Sequence, residues 1–140
     1  MLIEKIYIYF YYKIYYKKII IIIVLFSIFF YDYYYPKISI FIPVYNMQKY
    51  IGRTLLNIKN QTLKDIEIVV INDCSNDKSL EIITNFSKND SRIKIINNKK
   101  NRGLLYSRAM GIIHSSGKYL MNLDADDELI NQGDLEFLYM

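Results

Sequence analysis

From residue 38 onward, short runs of β-branched and aliphatic residues alternate with segments whose apolar residues recur at helical spacing. The apolar runs occupy residues 38–42, 66–71, 93–96 and 119–123, and the helical patterns occupy residues 47–59, 78–87 and 104–114. Strands that are separated by helices pair as parallel sheets through right-handed crossovers. The alternation therefore predicts an α/β fold of the Rossmann-like kind, with a mostly parallel sheet.

Polar residues cluster directly after each predicted strand. The four clusters are Pro43–Asn46, Asn72–Asp77, Asn97–Gly103 and Asp124–Asp127. Because the carboxyl ends of parallel strands share one edge of the sheet, we expect all of these clusters at the same edge, where ligands bind in open α/β folds. The sequence therefore predicts a ligand site at this edge.

The last cluster contains two carboxylates two positions apart, Asp124 and Asp126, which can turn toward one point as the strand ends. Hard oxygen ligands select Mg²⁺ or Mn²⁺, and an ion held there would neutralise a diphosphate leaving group. The alternative is that the acidic run only caps a following turn or helix, with its carboxylates solvated. The expected position of Asp73 at the same edge favours the metal site.

Asp73 follows the second predicted strand, where its carboxylate can accept hydrogen bonds from the imide N–H of a uracil or from a ribose hydroxyl. The neighbouring Asn, Ser and Asp residues are also typical of helix N-caps, and Ser75 or Asp77 is a candidate cap for the helix expected near Lys78. Both roles are expected within this segment. The segment Asn101–Gly103 can bring a cation and a flexible turn near phosphates, although a polar loop with Gly is common in any protein.

The first 35 residues consist almost entirely of Ile, Tyr, Phe and Lys, and the composition changes at Pro36. This change predicts two regions, residues 1–35 and 36–140. As a helix, the apolar run Ile19–Phe30 spans only about 18 Å against a hydrocarbon core of about 30 Å, but extension to Tyr35 reaches the lower limit for spanning. We therefore expect a single-pass N-terminal membrane anchor. The alternative is a compositionally biased segment on a cytoplasmic protein.

The net charge of +4 suits a partner that carries phosphate, or an anionic membrane surface. The lysines are scattered along the chain rather than grouped in one stripe, so nucleic acid is not an expected partner. The single cysteine, Cys74, excludes an internal disulfide and a cysteine-based zinc site.

Taken together, the polar clusters resemble the motifs of the family-2 GT-A glycosyltransferases. The matching motifs are Pro43-Val44-Tyr45-Asn46, Asn72 to Asp77, Asn101-x-Gly103 with Arg108, Gly117-Lys118-Tyr119, and Leu123 to Asp127. Their order and spacing are far more specific than an isolated Asp-x-Asp. The resemblance implies an inverting, metal-dependent transfer of a sugar from a UDP-sugar to an acceptor hydroxyl, which a glycan, a lipid or a protein could supply.

The resemblance also implies roles for individual residues. In that family, the loop matching Pro43, Tyr45 and Asn46 and the acid matching Asp73 surround the base and the ribose. Arg108 is assigned to the same donor-binding set. Asp126 matches the acid that holds the metal, Mn²⁺ or Mg²⁺, and Asp124 matches the acid that lies beside both ribose and metal.

Three positions depart from the family pattern. Asn72 replaces the first acid of the usual pair, Cys74 replaces a small residue that is often Gly, and Ala109 replaces an Asn. The family's acceptor-binding half and its catalytic base, an Asp or Glu well downstream of Asp-x-Asp, have no counterpart here, because Asp134 and Glu136 stand too close to that motif. The catalytic base is therefore left unassigned. The alternative to an active transferase is a truncated, non-catalytic module that binds a nucleotide-sugar.

Overall fold

A computed structural model describes residues 15–28 and 35–140. The chain divides into two compact units, Met1–Tyr35 and Pro36–Met140. In the first unit, residues 15–28 are helical and form α1, and nearly all of its side chains are exposed. Within the two described ranges, no helix combines the length and the hydropathy needed to cross a lipid bilayer. The expected anchor also includes residues 29–34, which lie outside the described residues.

The second unit alternates strands and helices along its whole length. Its elements are β1 (Ile38–Val44), α2 (Ile51–Lys59), β2 (Ile66–Asn72), α3 (Ser79–Asn89), β3 (Ile93–Asn97), α4 (Leu104–His114), β4 (Tyr119–Asn122) and α5 (Asp134–Tyr139). The strands form one sheet in the order β3-β2-β1-β4, and each neighbouring pair is parallel. The predicted α/β fold with a parallel sheet is therefore confirmed.

α3 is shifted from the predicted 78–87 to Ser79–Asn89, and two other helices differ more from the sequence prediction. α2 begins at Ile51 rather than at Met47, because residues 47–50 form a tight turn in which the N–H of Tyr50 donates to the carbonyl of Met47 at 3.0 Å. The sequence pattern gives no prediction of α5, which is 6 residues long and buries only Leu135. A helix this short shows too little apolar periodicity to be recognised.

The centre of the sheet is covered on both faces, and β1 is buried along its entire length, whereas the edge strand β4 is mostly exposed. On one face, Ile40 and Ile42 share a core with Leu55 of α2. On the other face, Phe41 belongs to a second cluster, against which Met110 of α4 packs. Burial on both faces explains why β1 and β2 appear in the sequence as continuous apolar runs rather than as alternating patterns.

The strand order changes direction beside β1. The chain steps outward from β1 to β2 and β3, and then returns through α4 to place β4 on the other side of β1. In open α/β sheets, ligands bind beyond the carboxyl ends of the strands at such a switch point. The loops that follow β1 and β4 therefore flank the position at which this fold favours ligand binding.

Candidate functional site

The loops that follow β1 and β2 are joined to each other by reciprocal hydrogen bonds. The N–H of Asn76 donates to Oδ1 of Asn46 at 2.8 Å, and the N–H of Asn46 donates to Oγ of Ser75 at 3.1 Å. Asn46 has a φ of 54°, a left-handed conformation that Asn tolerates better than most residues. The carboxylate of Asp77 accepts 2.9 Å bonds from the N–H of Gln48 and from the N–H of the first residue of α3. Asp77 thus accepts the first N–H of α3 from the position before the N-cap residue Lys78, whereas Asn46 and Ser75 connect the two loops.

Asp73 lies directly after β2 and is only 3% exposed. Its carboxylate accepts hydrogen bonds from Nδ2 of Asn98 at 2.7 Å, from the N–H of Arg102 at 2.9 Å and from the N–H of Gly103 at 2.8 Å. These donors replace the water that burial removes, which is the condition for burying a carboxylate. Asp73 therefore holds the loop that follows β3 against the end of β2.

A pocket of about 260 Å³ lies between the ends of β1 and β2 and the start of α4. It is lined by Pro43, Val44, Tyr45, Met47, Asp73, Asn101, Gly103, Leu104 and Ser107. Largely apolar walls with a few polar groups are typical of small-molecule sites. Tyr45 is 43% exposed, so its ring is available for stacking against a planar group.

Arg108 of α4 pairs with Asp124 in the loop that follows β4. Nη2 of Arg108 lies 2.9 Å from Oδ1 and 3.1 Å from Oδ2 of Asp124, and Nδ2 of Asn122 donates to Oδ1 at 3.2 Å. The hydrogen bond from Arg108 lowers the pKa of Asp124 below its ordinary value; burial opposes this effect, and Asn122 adds to it. Asp124 is therefore a carboxylate at neutral pH.

Asp126 is exposed, and its main-chain oxygen accepts a 3.4 Å hydrogen bond from Nη2 of Arg53. In the part of the chain that the structure describes, no group of three His, Cys, Asp or Glu side chains converges into a metal cage. Asp124 and Asp126 offer oxygen ligands only, and Mg²⁺ or Mn²⁺ commonly binds to one or two carboxylates with waters and phosphate oxygens. These residues therefore fit a metal that binds together with a diphosphate.

The structure brings together part of the predicted donor-binding set. Pro43, Tyr45 and Asp73 line the pocket. Asn46 is absent from the lining and instead joins two loops. Arg108 is also absent from the lining, because its guanidinium contacts Asp124.

Sequence reasoning missed several residues of the site. Asn98 donates to Asp73, and Met47, Leu104 and Ser107 line the pocket. Asn98 stands in a polar cluster in which nothing distinguishes it from its neighbours. Leu104 and Ser107 belong to the first turn of α4, where the apolar pattern alone indicates packing rather than ligand contact.

Comparisons with known proteins extend over the whole of this site. The sequence model of Glycosyl transferase family 2 matches residues 39–139. An uncharacterized glycosyltransferase of Haemophilus influenzae is 45% identical over 92 residues, which cover 66% of this chain and 28% of that protein. The GalNAc(5)-diNAcBac-PP-undecaprenol beta-1,3-glucosyltransferase of Campylobacter jejuni is 35% identical over 97 residues, which cover 69% of this chain and 31% of that protein.

The fold is similar to that of a solved structure, the crystal structure of S. aureus TarS 1-349 in complex with UDP-GlcNAc. The TM-score is 0.68 at 30% sequence identity, over 73% of this chain and 30% of that chain. The present chain thus spans 28% to 31% of the length of these three proteins. The match of the family model includes all four loops at the carboxyl edge of the sheet. The chain belongs to glycosyl transferase family 2.

Proposed function

We propose that this chain binds a UDP-sugar and forms the donor half of a glycosyltransferase that is metal-dependent, acts with inversion and transfers the sugar to an acceptor hydroxyl. The observation that carries the proposal is the position of the pocket at the sheet edge that also carries Asp124 and Asp126. The UDP-GlcNAc complex of the similar S. aureus protein supports a UDP-sugar as the donor class. The name of the Campylobacter relative, a glucosyltransferase, supports transfer of a hexose.

The pocket suits the nucleoside part of such a donor. Tyr45 offers an aromatic face, and Pro43 and Leu104 offer apolar walls for a uracil ring. Asp73 already accepts four contacts from three donors, because the N–H of Arg102 lies 2.9 Å from Oδ1 and 3.1 Å from Oδ2, and a carboxylate has about four acceptor positions. The imide N–H of uracil or a ribose hydroxyl would therefore bind Asp73 by taking the longer, 3.1 Å position of Arg102 on Oδ2, while the other bonds continue to hold the loop after β3.

The loop after β4 suits the diphosphate. Asp124 and Asp126 would hold Mg²⁺ or Mn²⁺, and the bound ion supplies positive charge that stabilises a diphosphate as it leaves the sugar. Arg108 keeps Asp124 in its charged form and fixes the direction of its carboxylate. Asp126 is exposed and therefore accessible to an incoming ion and its phosphate oxygens.

A second candidate function is a module that binds the donor without transferring the sugar. Two of the acids that follow the metal motif already have structural partners: Oδ2 of Asp134 accepts from the N–H of Asn131 at 2.9 Å, and Oε2 of Glu136 accepts from Oγ1 of Thr62 at 2.8 Å. Both acids therefore serve the α5 region, and neither is assigned as the general base for the acceptor hydroxyl.

Titration of UDP and of several UDP-sugars into the full chain, with and without Mn²⁺, tests the donor site. Asp126→Ala is expected to remove most of the Mn²⁺-dependent gain in affinity, about tenfold or more, because it removes a ligand of the ion. Asp73→Ala is expected to weaken binding under both conditions. Asp65→Ala, an exposed residue immediately before β2 at the opposite edge of the sheet, is the matched control. A folded wild-type chain that binds no UDP in either condition would disprove the proposal.

Attachment of residues 1–35 to a membrane is a separate proposal. The apolar side chains from Ile20 to Phe26 are 50% to 63% exposed in α1, and an exposed apolar surface of this kind favours a lipid environment. Fractionation of cells that express the full chain, beside a variant that begins at Pro36, tests it. Equal recovery of the two chains from the membrane fraction would contradict the proposal.

A further inference from the structure

Helix α2 carries a polar stripe beside its apolar face. Thr54, Asn57 and Gln61 are spaced three and four residues apart, so they lie on one side of the helix and its C-terminal extension. Thr54 and Gln61 are fully buried, which is unusual for polar side chains and requires that each finds hydrogen-bond partners.

Apart from a 3.5 Å contact of Oγ1 of Thr54 with the carbonyl of Tyr50, the partners of this stripe lie in one segment, residues 125–135, which contains Asp126. Oγ1 of Thr54 donates to the carbonyl of Ala125 at 2.8 Å. Nε2 of Gln61 donates to the carbonyl of Asn131 at 3.0 Å, and its Oε1 accepts from the N–H of Leu135 at 3.4 Å. The stripe therefore contacts the backbone of the segment rather than its side chains.

Asn57 makes the most specific of these contacts. Its Nδ2 donates to the carbonyl of Leu129 at 3.0 Å, and its Oδ1 accepts from the N–H of the same residue at 3.0 Å. One amide group thus satisfies both backbone groups of Leu129, as a neighbouring strand would. A slip of the segment by one residue along the helix would break both bonds, so the contact fixes the register of the segment as well as its distance.

We propose that Asn57 is a positioning residue for the acidic loop Asp124–Asp127, and that Gln61 secures the same segment beyond Leu129. The inference rests on the proposed donor site. The Thr54 and Asn57 contacts hold the backbone at Ala125 and at Leu129, on either side of Asp126. The backbone that carries the exposed Asp126 carboxylate is consequently fixed. The side chains of α2 act on this backbone and are not themselves ligands of the ion.

Such positioning affects metal binding specifically. A single exposed carboxylate on a mobile loop would lose conformational entropy each time it bound an ion. A loop whose backbone is already fixed avoids that loss, and residues that orient metal ligands typically change metal affinity by about 10- to 100-fold when they are removed. The nucleoside pocket has no lining residue from α2, so nucleotide binding without metal should depend much less on Asn57.

The test compares Asn57→Leu with Asn60→Leu, an exposed residue just after the same helix. The ratio of UDP affinity with Mn²⁺ to UDP affinity without Mn²⁺ is expected to fall about tenfold in Asn57→Leu and to stay unchanged in Asn60→Leu. Amide hydrogen exchange at Asp126–Leu129 is expected to become faster in Asn57→Leu, while exchange in β1 stays the same. If Asn57→Leu does not fold, Asn57→Ser removes the same two bonds with a smaller polar side chain.

The exchange measurement separates this inference from the proposed function. If the wild-type chain shows no gain in UDP affinity with Mn²⁺, the proposed metal-dependent function fails. If amide exchange at Asp126–Leu129 is the same in Asn57→Leu as in wild type, the positioning role of Asn57 fails. Faster exchange together with an unchanged affinity ratio would make Asn57 a purely structural residue and would overturn the proposal. Faster exchange with a lowered ratio supports it.

Discussion

Nη2 of Arg108 bridges both carboxylate oxygens of Asp124, at 2.9 Å and 3.1 Å. This contact joins α4, which covers one face of the sheet, to the loop that follows the edge strand β4. It also keeps Asp124 charged, because the guanidinium lowers the pKa of Asp124. Nε of the same guanidinium is buried without a hydrogen-bond partner among the described residues. The pairing of Arg108 with Asp124 therefore leaves one N–H donor of Arg108 unsatisfied, which is unfavourable.

Replacement of Arg108 should therefore change the titration of Asp124. In Arg108→Leu, the pKa of Asp124 is expected to rise toward its ordinary value, because the hydrogen bond from Arg108, the largest cause of its lowering, is removed. A carboxylate NMR titration measures this directly. Arg53→Leu, which removes the ion pair with Glu128 instead, is the control and should leave the titration of Asp124 unchanged.

The same pair predicts a pH dependence of stability. The folded pKa of Asp124 lies below its unfolded value, so the pair stabilises the fold fully above the unfolded pKa. This stabilisation is lost as the pH falls through the folded pKa. The side chains are 39% and 41% exposed, which limits the contribution to about 1 kcal/mol or less. Urea unfolding of wild type and Arg108→Leu should differ most at neutral pH; a difference that grows in acid would contradict the assignment.

Two helical glycines predict opposite effects of the same substitution. A Cβ at Gly111 would lie 2.6 to 2.8 Å from the atoms of Phe41, which is itself buried in the sheet, whereas a Cβ at Gly52 would meet Ile82 at 3.6 Å. Gly111→Ala should lower the free energy of unfolding by about 1 to 3 kcal/mol through overpacking. Gly52→Ala should raise it by about 0.5 to 1 kcal/mol through helix propensity. Urea unfolding of both variants checks the pair, and equal effects would show that the close approach of α4 to β1 is relieved at no cost.

Asp73 should contribute more to stability than Asp126, although both belong to the predicted site. In Asp73→Asn, the NH₂ group of the new amide faces N–H donors whose hydrogen bonds the carboxylate now accepts. We therefore expect the free energy of unfolding to fall by about 1 to 3 kcal/mol. Asp126→Asn changes an exposed side chain and should alter stability by about 0.5 kcal/mol or less. Thermal unfolding of the two variants distinguishes them. An Asp73→Asn variant as stable as wild type would show that the loop after β3 does not depend on this carboxylate.

The sequence predicts the sheet well because the β1 and β2 runs are long, apolar and flanked by polar residues. It predicts the helix ends less well, since the start of α2 depends on a turn at Met47 whose hydrogen bonds leave no apolar signature. The order of the strands also confirms the shared edge on which the prediction of a ligand site was based, since the carboxyl ends of all four strands meet there.

Which residues line the pocket and which hold the loops in place is harder to predict from residue types. Asn46 and Asp73 both belong to recognised motifs, yet Asn46 connects two loops while Asp73 both lines the pocket and holds the loop after β3. The polar stripe of α2 is another example, because Asn57 and Gln61 are ordinary surface residues by type. Their role depends on backbone groups about 70 positions away in the sequence, namely those of Leu129 and Asn131.

One departure from the family pattern predicts a change in stability. Cys74 has a φ of 59°, so it occupies a left-handed conformation that costs most residues about 1 kcal/mol or more, and Gly is the residue that adopts it without strain. Cys74→Gly is expected to stabilise the fold by up to about 1 kcal/mol, the relief of strain being partly offset by the greater freedom of Gly in the unfolded chain.

Cys74→Val tests the same conformation from the other direction. A β-branched side chain is especially unfavourable at positive φ, so this variant is expected to lose about 1 to 3 kcal/mol. Cys74→Ala controls for the loss of the thiol and should fall between the two. Urea unfolding of the three variants should therefore rank them Gly, Ala, Val in decreasing stability. Sγ of Cys74 lies 4.0 Å from the carbonyl oxygen of Lys99. The reverse order would show that side-chain contacts of this kind determine the stability of the variants and that backbone strain at this turn is small.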